Sequence, residues 1–194
     1  MKRGELPYAR QGDTFLIEVK LNGLQQLYNT LDPAPSREKE IDRHVDTYIV
    51  ESVREIPPGA PIKLVLHFPP ATEGAAPDTI AESIHNHFAY RAHGALLELR
   101  QTLRNGRISL VIGVVFLFVC LTLRTLVRAK GGGTLAGILE EGLLIMGWVA
   151  MWRPIQIFLY DWWPIQRSRR ILERLVAIPV ELRFGGPAPV RPGP

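Results

Sequence analysis

The chain of 194 residues has almost no cysteine, no leader-like start and no catalytic motif, and each absence narrows what it can be. Cys120 is the only cysteine, so neither an intramolecular disulfide nor a Cys-rich zinc site can form, which excludes a disulfide-stapled secreted domain. Met1-Lys2-Arg3-Gly4-Glu5-Leu6-Pro7 is basic but no apolar run follows it, so no cleavable signal peptide is expected. No serine or cysteine has the flanks of a nucleophile, and Gly131-Gly132-Gly133 lacks the preceding strand and following Lys-Ser/Thr of a phosphate loop. His85, His87 and His93 resemble a metal cluster on paper. On a helix, however, residues two apart point about 200° from each other, so these read as ordinary surface histidines. No catalytic residue, no metal, no cofactor and no enzymatic activity are expected.

Charge is missing from one place above all. Asp, Glu, Lys and Arg make up 22% of the chain, yet none falls between Ile108 and Leu123. Extended to Val127 the run is about 20 residues, roughly 30 Å of helix and the thickness of a bilayer core, with Arg124 near enough to the end to snorkel. Residues 108–127 are therefore predicted as a first transmembrane helix. A second is predicted over 134–152, interrupted only by Glu140 and Glu141, and the glycine turn between them makes an antiparallel hairpin. Residues 1–104 carry 12 Lys and Arg against 14 Asp and Glu, net −2, while residues 105–194 carry 11 against 5, net +6. The basic excess thus flanks apolar segments, which disfavours nucleic acid as a partner. Arg91, Arg100, Arg104 and Arg107 precede the hairpin and Arg153, Arg167, Arg169, Arg170 and Arg174 follow it, against Arg124, Arg128 and Lys130 in the loop. By the positive-inside rule both termini face the cytoplasm.

Around the hairpin the pattern is that of a small domain. Apolar residues alternate with period two over 15–21, 62–68 and 178–184, three half-buried strands of one sheet, the last supplied by the C-terminus. Two helical stripes lie between the first two strands: Leu24, Leu27, Tyr28 and Leu31, then a helix capped by Ser36 and stopped by Pro57-Pro58-Gly59. A third helix runs from Asp78 toward Leu103, with a break expected at Asn105-Gly106. The expected fold is an α+β membrane protein, a transmembrane helical hairpin plus a small two-layer α/β cytoplasmic domain over 13–104, completed by a basic helix and strand over 165–184. Its apolar core is thin enough to need another surface to lean on. Residues 1–12 read as a flexible start, 69–77 as a linker and 185–194 as a disordered Pro/Gly tail.

The most distinctive stretch runs from Trp152 to Pro164. Ile155, Phe158, Leu159 and Trp162 share one helical face, which predicts a short amphipathic helix over 154–163 lying in the membrane interface. Trp152, Arg153, Phe158, Tyr160, Trp162 and Trp163 would sit among headgroups, an aromatic belt that explains them without a bound quinone. A competing reading carries the second span on to Tyr160, placing Arg153 at membrane depth at a cost of about 2.5–3.5 kcal/mol. Arg167, Arg169, Arg170 and Arg174 are the expected lipid-headgroup contacts. The segment Glu141-Gly142-Leu143-Leu144-Ile145-Met146-Gly147-Trp148-Val149-Ala150-Met151-Trp152-Arg153-Pro154, with Ile157-Phe158-Leu159-Tyr160-Asp161-Trp162-Trp163-Pro164 and a terminal Val-Glu-Leu strand, resembles a family of uncharacterised bacterial two-span membrane proteins. That resemblance is strongest over 138–184. It implies a bacterial inner-membrane protein and brings no activity with it.

Glu140 and Glu141 are the sharpest functional candidates, because carboxylates inside a span are costly and mark ion paths or partner cations. Pairing with Arg124, Arg128 or a partner chain is the structural alternative. The expectation is a non-enzymatic accessory or scaffold protein, in contact with the lipid bilayer and its anionic lipids, and either a homo-oligomer or a subunit of a membrane complex. The alternative is an oligomeric transport or channel component that uses Glu140 and Glu141.

Overall fold

The computed structural model describes residues 7–28, 40–70, 76–131 and 133–185. The chain forms two compact units, one of Met1–His93 with Arg169–Pro194 and the other of Gly94–Ser168.

The first unit is mixed α/β with a four-stranded sheet of order β1-β2-β3-β4: β1 Arg10–Gln11, β2 Thr14–Lys20, β3 Ile62–Phe68 and β4 Val180–Phe184. Strands β2, β3 and β4 are parallel, with Ile17 opposite Leu64 and Leu66 opposite Leu182. Strand β1, absent from the sequence reading, folds back antiparallel through Gly12, whose φ of 61° suits a residue without Cβ. The Arg10 guanidinium lies over the Phe15 ring at 4.3 Å, so part of the expected flexible start is fastened. Each step to the next parallel strand goes the same way across the sheet, and right-handed crossovers of that kind put both connections on one face. That face carries the buried Phe15, Ile17, Val19, Ile62, Leu64 and Leu66.

Helix α1 is Arg43–Glu55. It starts six residues later than expected because Asp42 is its cap, the side chain accepting the His44 N–H at 2.8 Å. Ser36 lies outside the described residues. Ile41, predicted on the helix, instead bridges to Tyr28 ahead of it. The short stripe before it yields a single 3-10 turn, Leu24–Gln26, and Leu31 is likewise outside the described residues. At the other end Ile56 is extended, as a residue before proline must be.

Helix α2 runs unbroken from Pro77 to Ala129, contradicting the expected interruption at Asn105-Gly106. Its first turns belong to the first unit, where Ile80, Ile84 and Phe88 are almost fully buried. Ile171, Leu172 and Leu175, near the end of helix α5 (Trp162–Val176), are buried there too. The surface that the thin core was expected to lean on is therefore partly the chain's own. At about 1.5–3 kcal/mol for each large side chain, these six add on the order of 10 kcal/mol of burial that strands and α1 alone would lack.

In the second unit, helix α3 (Thr134–Ala150), helix α4 (Trp152–Gln156), a π-helical turn at Ile157–Asp161 and the start of α5 follow one another with only Met151 between α3 and α4. Pro164 does not end the segment. It stands just after the π turn, whose wider winding accommodates a residue that has no N–H to give to the preceding turn. The wide π turn just before it leaves the Phe158 carbonyl to accept the Trp162 indole N–H at 2.7 Å, an acceptor that an α-helix would give to the Trp162 backbone N–H.

Candidate functional site

The hairpin of the second unit is joined along a seam of small residues. A Cβ placed on Gly147 would lie 2.7 Å from Leu117 Cδ1 and 3.4 Å from Cys120 Cβ. One on Gly113 would lie 3.1 Å from the Ala150 carbonyl oxygen, and one on Gly106 only 2.8 Å from Ile157 Cγ2. Gly106, Gly113 and Cys120 recur every seven residues on α2 and are all buried. Small side chains at that period let two helices approach closely without a large apolar knob between them. The seven-residue spacing of small residues in the sequence is the signal for this seam.

The same contacts fix the register. Gly147 meets Leu117, Ala150 meets Gly113 and Ile157 meets Gly106, so the second arm continues alongside α2 well past Arg153-Pro154. Pro154 and Ile157 are buried in the seam. Residues 154–163 are helical, as expected, and run on from the arm without a separate start. The uncharged run Ile108–Leu123 has as its neighbour roughly residues 141–156. Arg153 consequently falls near one end of that run. Its guanidinium reaches Asp161 at 3.8 Å, eight residues further along and away from the apolar stretch, which is how an arginine escapes an apolar depth.

Glu140 lies seven residues before Gly147 and Arg124 seven residues after Leu117, so in this antiparallel pair both stand at one level. Glu140 is half-buried and Glu141 exposed, and neither forms an ion pair with Arg124 or Arg128 among the described residues. Arg124 Nε is buried with no hydrogen-bond partner.

Outward from the seam the helices are apolar and bare. Val111, Phe118, Ile145, Trp148 and Val149 are exposed, and only 11% of the most apolar window of α2 and 6% of that in the second arm is buried. Both helices are long and apolar enough to cross a membrane. Trp152 is exposed near one end of the apolar stretch and Tyr160 and Trp163 are exposed beyond it, whereas Trp162 is half-buried and tied to Phe158.

The expected headgroup arginines divide. Arg167 and Arg170 are exposed. Arg169 is paired with Glu173 at 2.8 Å, and Arg174 donates to the Ala60 carbonyl at 3.0 Å, a tie within the α/β unit rather than a surface contact.

The first unit also holds two polar clusters. Asp46 of α1 accepts from His87 Nε2 at 3.2 Å, and both its carboxylate oxygens accept from Arg91 Nη1, while His87 Nδ1 accepts from the Ile41 N–H. Burial pushes the Asp46 carboxyl up, but the His87 hydrogen bond and the Arg91 charge outweigh it and hold it below the usual carboxylate range. His87 is accordingly a partnered residue and not a surface one; His85 likewise donates to the Ile178 carbonyl at 2.8 Å. No single stretch of sequence signals this clamp, because Asp46 and His87 are far apart in the chain. Across the polar face of the sheet Glu18 faces His67 at 3.3 Å and Arg183 at 3.7 Å, and Glu181 bonds Lys63 at 2.5 Å and Arg183 at 2.7 Å. The Lys63 and Arg183 hydrogen bonds hold Glu181 below its usual value.

Among the described residues no group of three or more His, Cys, Asp or Glu side chains comes together as metal ligands do. Both polar clusters pair across elements, an arrangement that fastens a fold, although among the described residues His67 Nδ1 is buried without a hydrogen-bond partner. Comparison with known proteins finds no family model, no curated protein and no solved structure that matches the chain.

Proposed function

We propose that this is an integral protein of the bacterial inner membrane, a two-span helical hairpin that holds a small α/β unit at the cytoplasmic face. In this reading it acts as a non-enzymatic accessory or scaffold protein, bound to a partner complex or to a second copy of itself. The observation that carries it is the bare apolar surface of a hairpin whose two arms are each long enough to span. In water, apolar patches of that extent would drive aggregation; in a bilayer they are matched by lipid. Two further features agree. Strand β4, which follows the hairpin, pairs with β3, which precedes it, so both ends of the hairpin return to one folded unit. An even number of crossings is what that connectivity needs, and the flanking arginines favour the cytoplasmic side. The bacterial assignment rests on the resemblance over 138–184.

The level shared by Glu140 and Arg124 supports a structural role for Glu140 over ion handling, because an opposed cation lessens the cost of an acid near the bilayer edge. Full-length protein extracted in a mild detergent should elute as a homo-oligomer or with a companion in fixed stoichiometry. A stable monomer without any companion would overturn the scaffold reading, and release of the chain from membranes by alkaline carbonate would overturn the membrane reading itself.

A further inference from the structure

Three arginines of α2 have no role in the fold. Arg100, Arg104 and Arg107 are all exposed, and among the described residues none forms an ion pair or a hydrogen bond. Counting about 100° per residue from Gly106, they lie together about 100–160° around the helix from the seam. Val111 and Phe118, 63% and 70% exposed, continue the same stripe into the apolar run. One helix face thus carries, in order, a row of unpaired guanidinium groups and then a bare hydrocarbon surface.

We propose that this stripe is a binding site for an anionic phospholipid, its acyl chains against Val111 and Phe118 and its phosphate held by Arg104 and Arg107, with Arg100 as an outer contact. The proposal rests on the membrane reading. Arg104 and Arg107 stand one turn apart, about 5 Å along the axis, and guanidinium forks at that spacing suit the oxygens of one phosphodiester. A free phosphate would use the arginines and leave the apolar half of the stripe unexplained. A nucleic acid would meet a hydrocarbon surface within two turns. The lipid alone matches both halves. It also accounts for where headgroup contact falls: Arg169 and Arg174, expected from the sequence, are engaged elsewhere.

The test is a reconstitution of the full chain in phosphatidylcholine vesicles carrying spin-labelled phosphatidylglycerol or spin-labelled phosphatidylcholine, comparing the motionally restricted fraction of each. The natural chain and the Lys130→Gln control should favour phosphatidylglycerol. The Arg104→Gln/Arg107→Gln variant should lose that preference, by up to about fivefold for each arginine at low ionic strength. Tryptophan quenching by brominated acyl chains is read on the same samples. Quenching retained with an unchanged lipid preference in the double variant would overturn the lipid site and leave the membrane reading standing. Absence of quenching in the natural chain would overturn both.

Discussion

The seam of the hairpin can be tested with one substitution, because the chain's only cysteine lies in it. Cys120 Cβ is 3.4 Å from the Cβ position of Gly147, at the short edge of the roughly 3.5–4.5 Å found across disulfides. Gly147→Cys should therefore form an intramolecular disulfide with Cys120 on mild oxidation with copper phenanthroline. The obstacle is Leu117 Cδ1, 2.7 Å from the new Cβ, but that atom is the far end of a flexible side chain and can turn away at about 0.5–1.5 kcal/mol. Closing a loop of about 28 residues is worth up to about 3.6 kcal/mol by chain entropy, so a net gain of about 2–3 kcal/mol in resistance to unfolding is expected. The figure is an upper one, since the hairpin is already restrained by its helices. The assay is intact mass, two hydrogens lighter without reductant, together with gel mobility and thermal unfolding of the full chain in detergent. Gly137→Cys, whose Cβ would meet nothing within 4 Å, is the control and should not crosslink within one chain. Failure of Gly147→Cys to lose two hydrogens, or crosslinking equally good from position 137, would refute the register and with it the level assigned to Glu140 and Arg153.

The remaining outcomes concern packing and pH. Gly113→Leu should destabilise the hairpin by about 1–3 kcal/mol in detergent unfolding, because the new side chain meets the backbone oxygen of Ala150, whereas Gly137→Leu should change stability by less than about 0.5 kcal/mol. Asp46 titrates lower in the folded chain than its ordinary 3.8, so it contributes stability above that pH which is lost as pH falls through the folded value. Asp46→Asn should flatten the loss of stability between about pH 5 and 2 and cost about 1–3 kcal/mol at pH 7, with part of the Arg91 contribution screened by solvent. Tyr8, raised to about 12 by burial and by its bond to Glu55, works in the opposite direction: its stabilisation is complete below pH 10 and fades as pH rises toward 12. Tyr8→Phe should remove that alkaline component from a stability-against-pH profile.

The sheet was legible because its strands keep a period of two over 15–21, 62–68 and 178–184, even though Leu16 and Val65 are buried on the face that also carries Glu18 and His67. Strand β1 was not, since two polar residues carry no period and only the glycine turn between β1 and β2 hints at them. The apolar run of α2 announced itself by its lack of charge. Its continuity through Asn105-Gly106 could not be read locally: glycine there serves the close approach of Ile157, a contact between residues about fifty apart in sequence. Proline misled in the same way at Pro154 and Pro164, both of which are absorbed, one in the turn after Met151 and one in the first turn of α5. Glu140 and Glu141 stand out in the sequence as charges in an apolar segment, but only the register shows which of them faces the seam. The Asp46, His87 and Arg91 clamp is a tertiary arrangement whose partners come from two helices, and its histidine consequently read as a surface residue.

The central claim is that two helices cross a membrane and return both chain ends to the same side. It is tested most directly by single cysteines in a Cys120→Ser background, one at Lys130 in the hairpin turn and one at Lys20 on the exposed end of β2, probed in intact cells with a membrane-impermeant maleimide. The account requires labelling at position 130 without lysis and at position 20 only after it. Labelling of both positions in intact cells, or of position 20 alone, would contradict it.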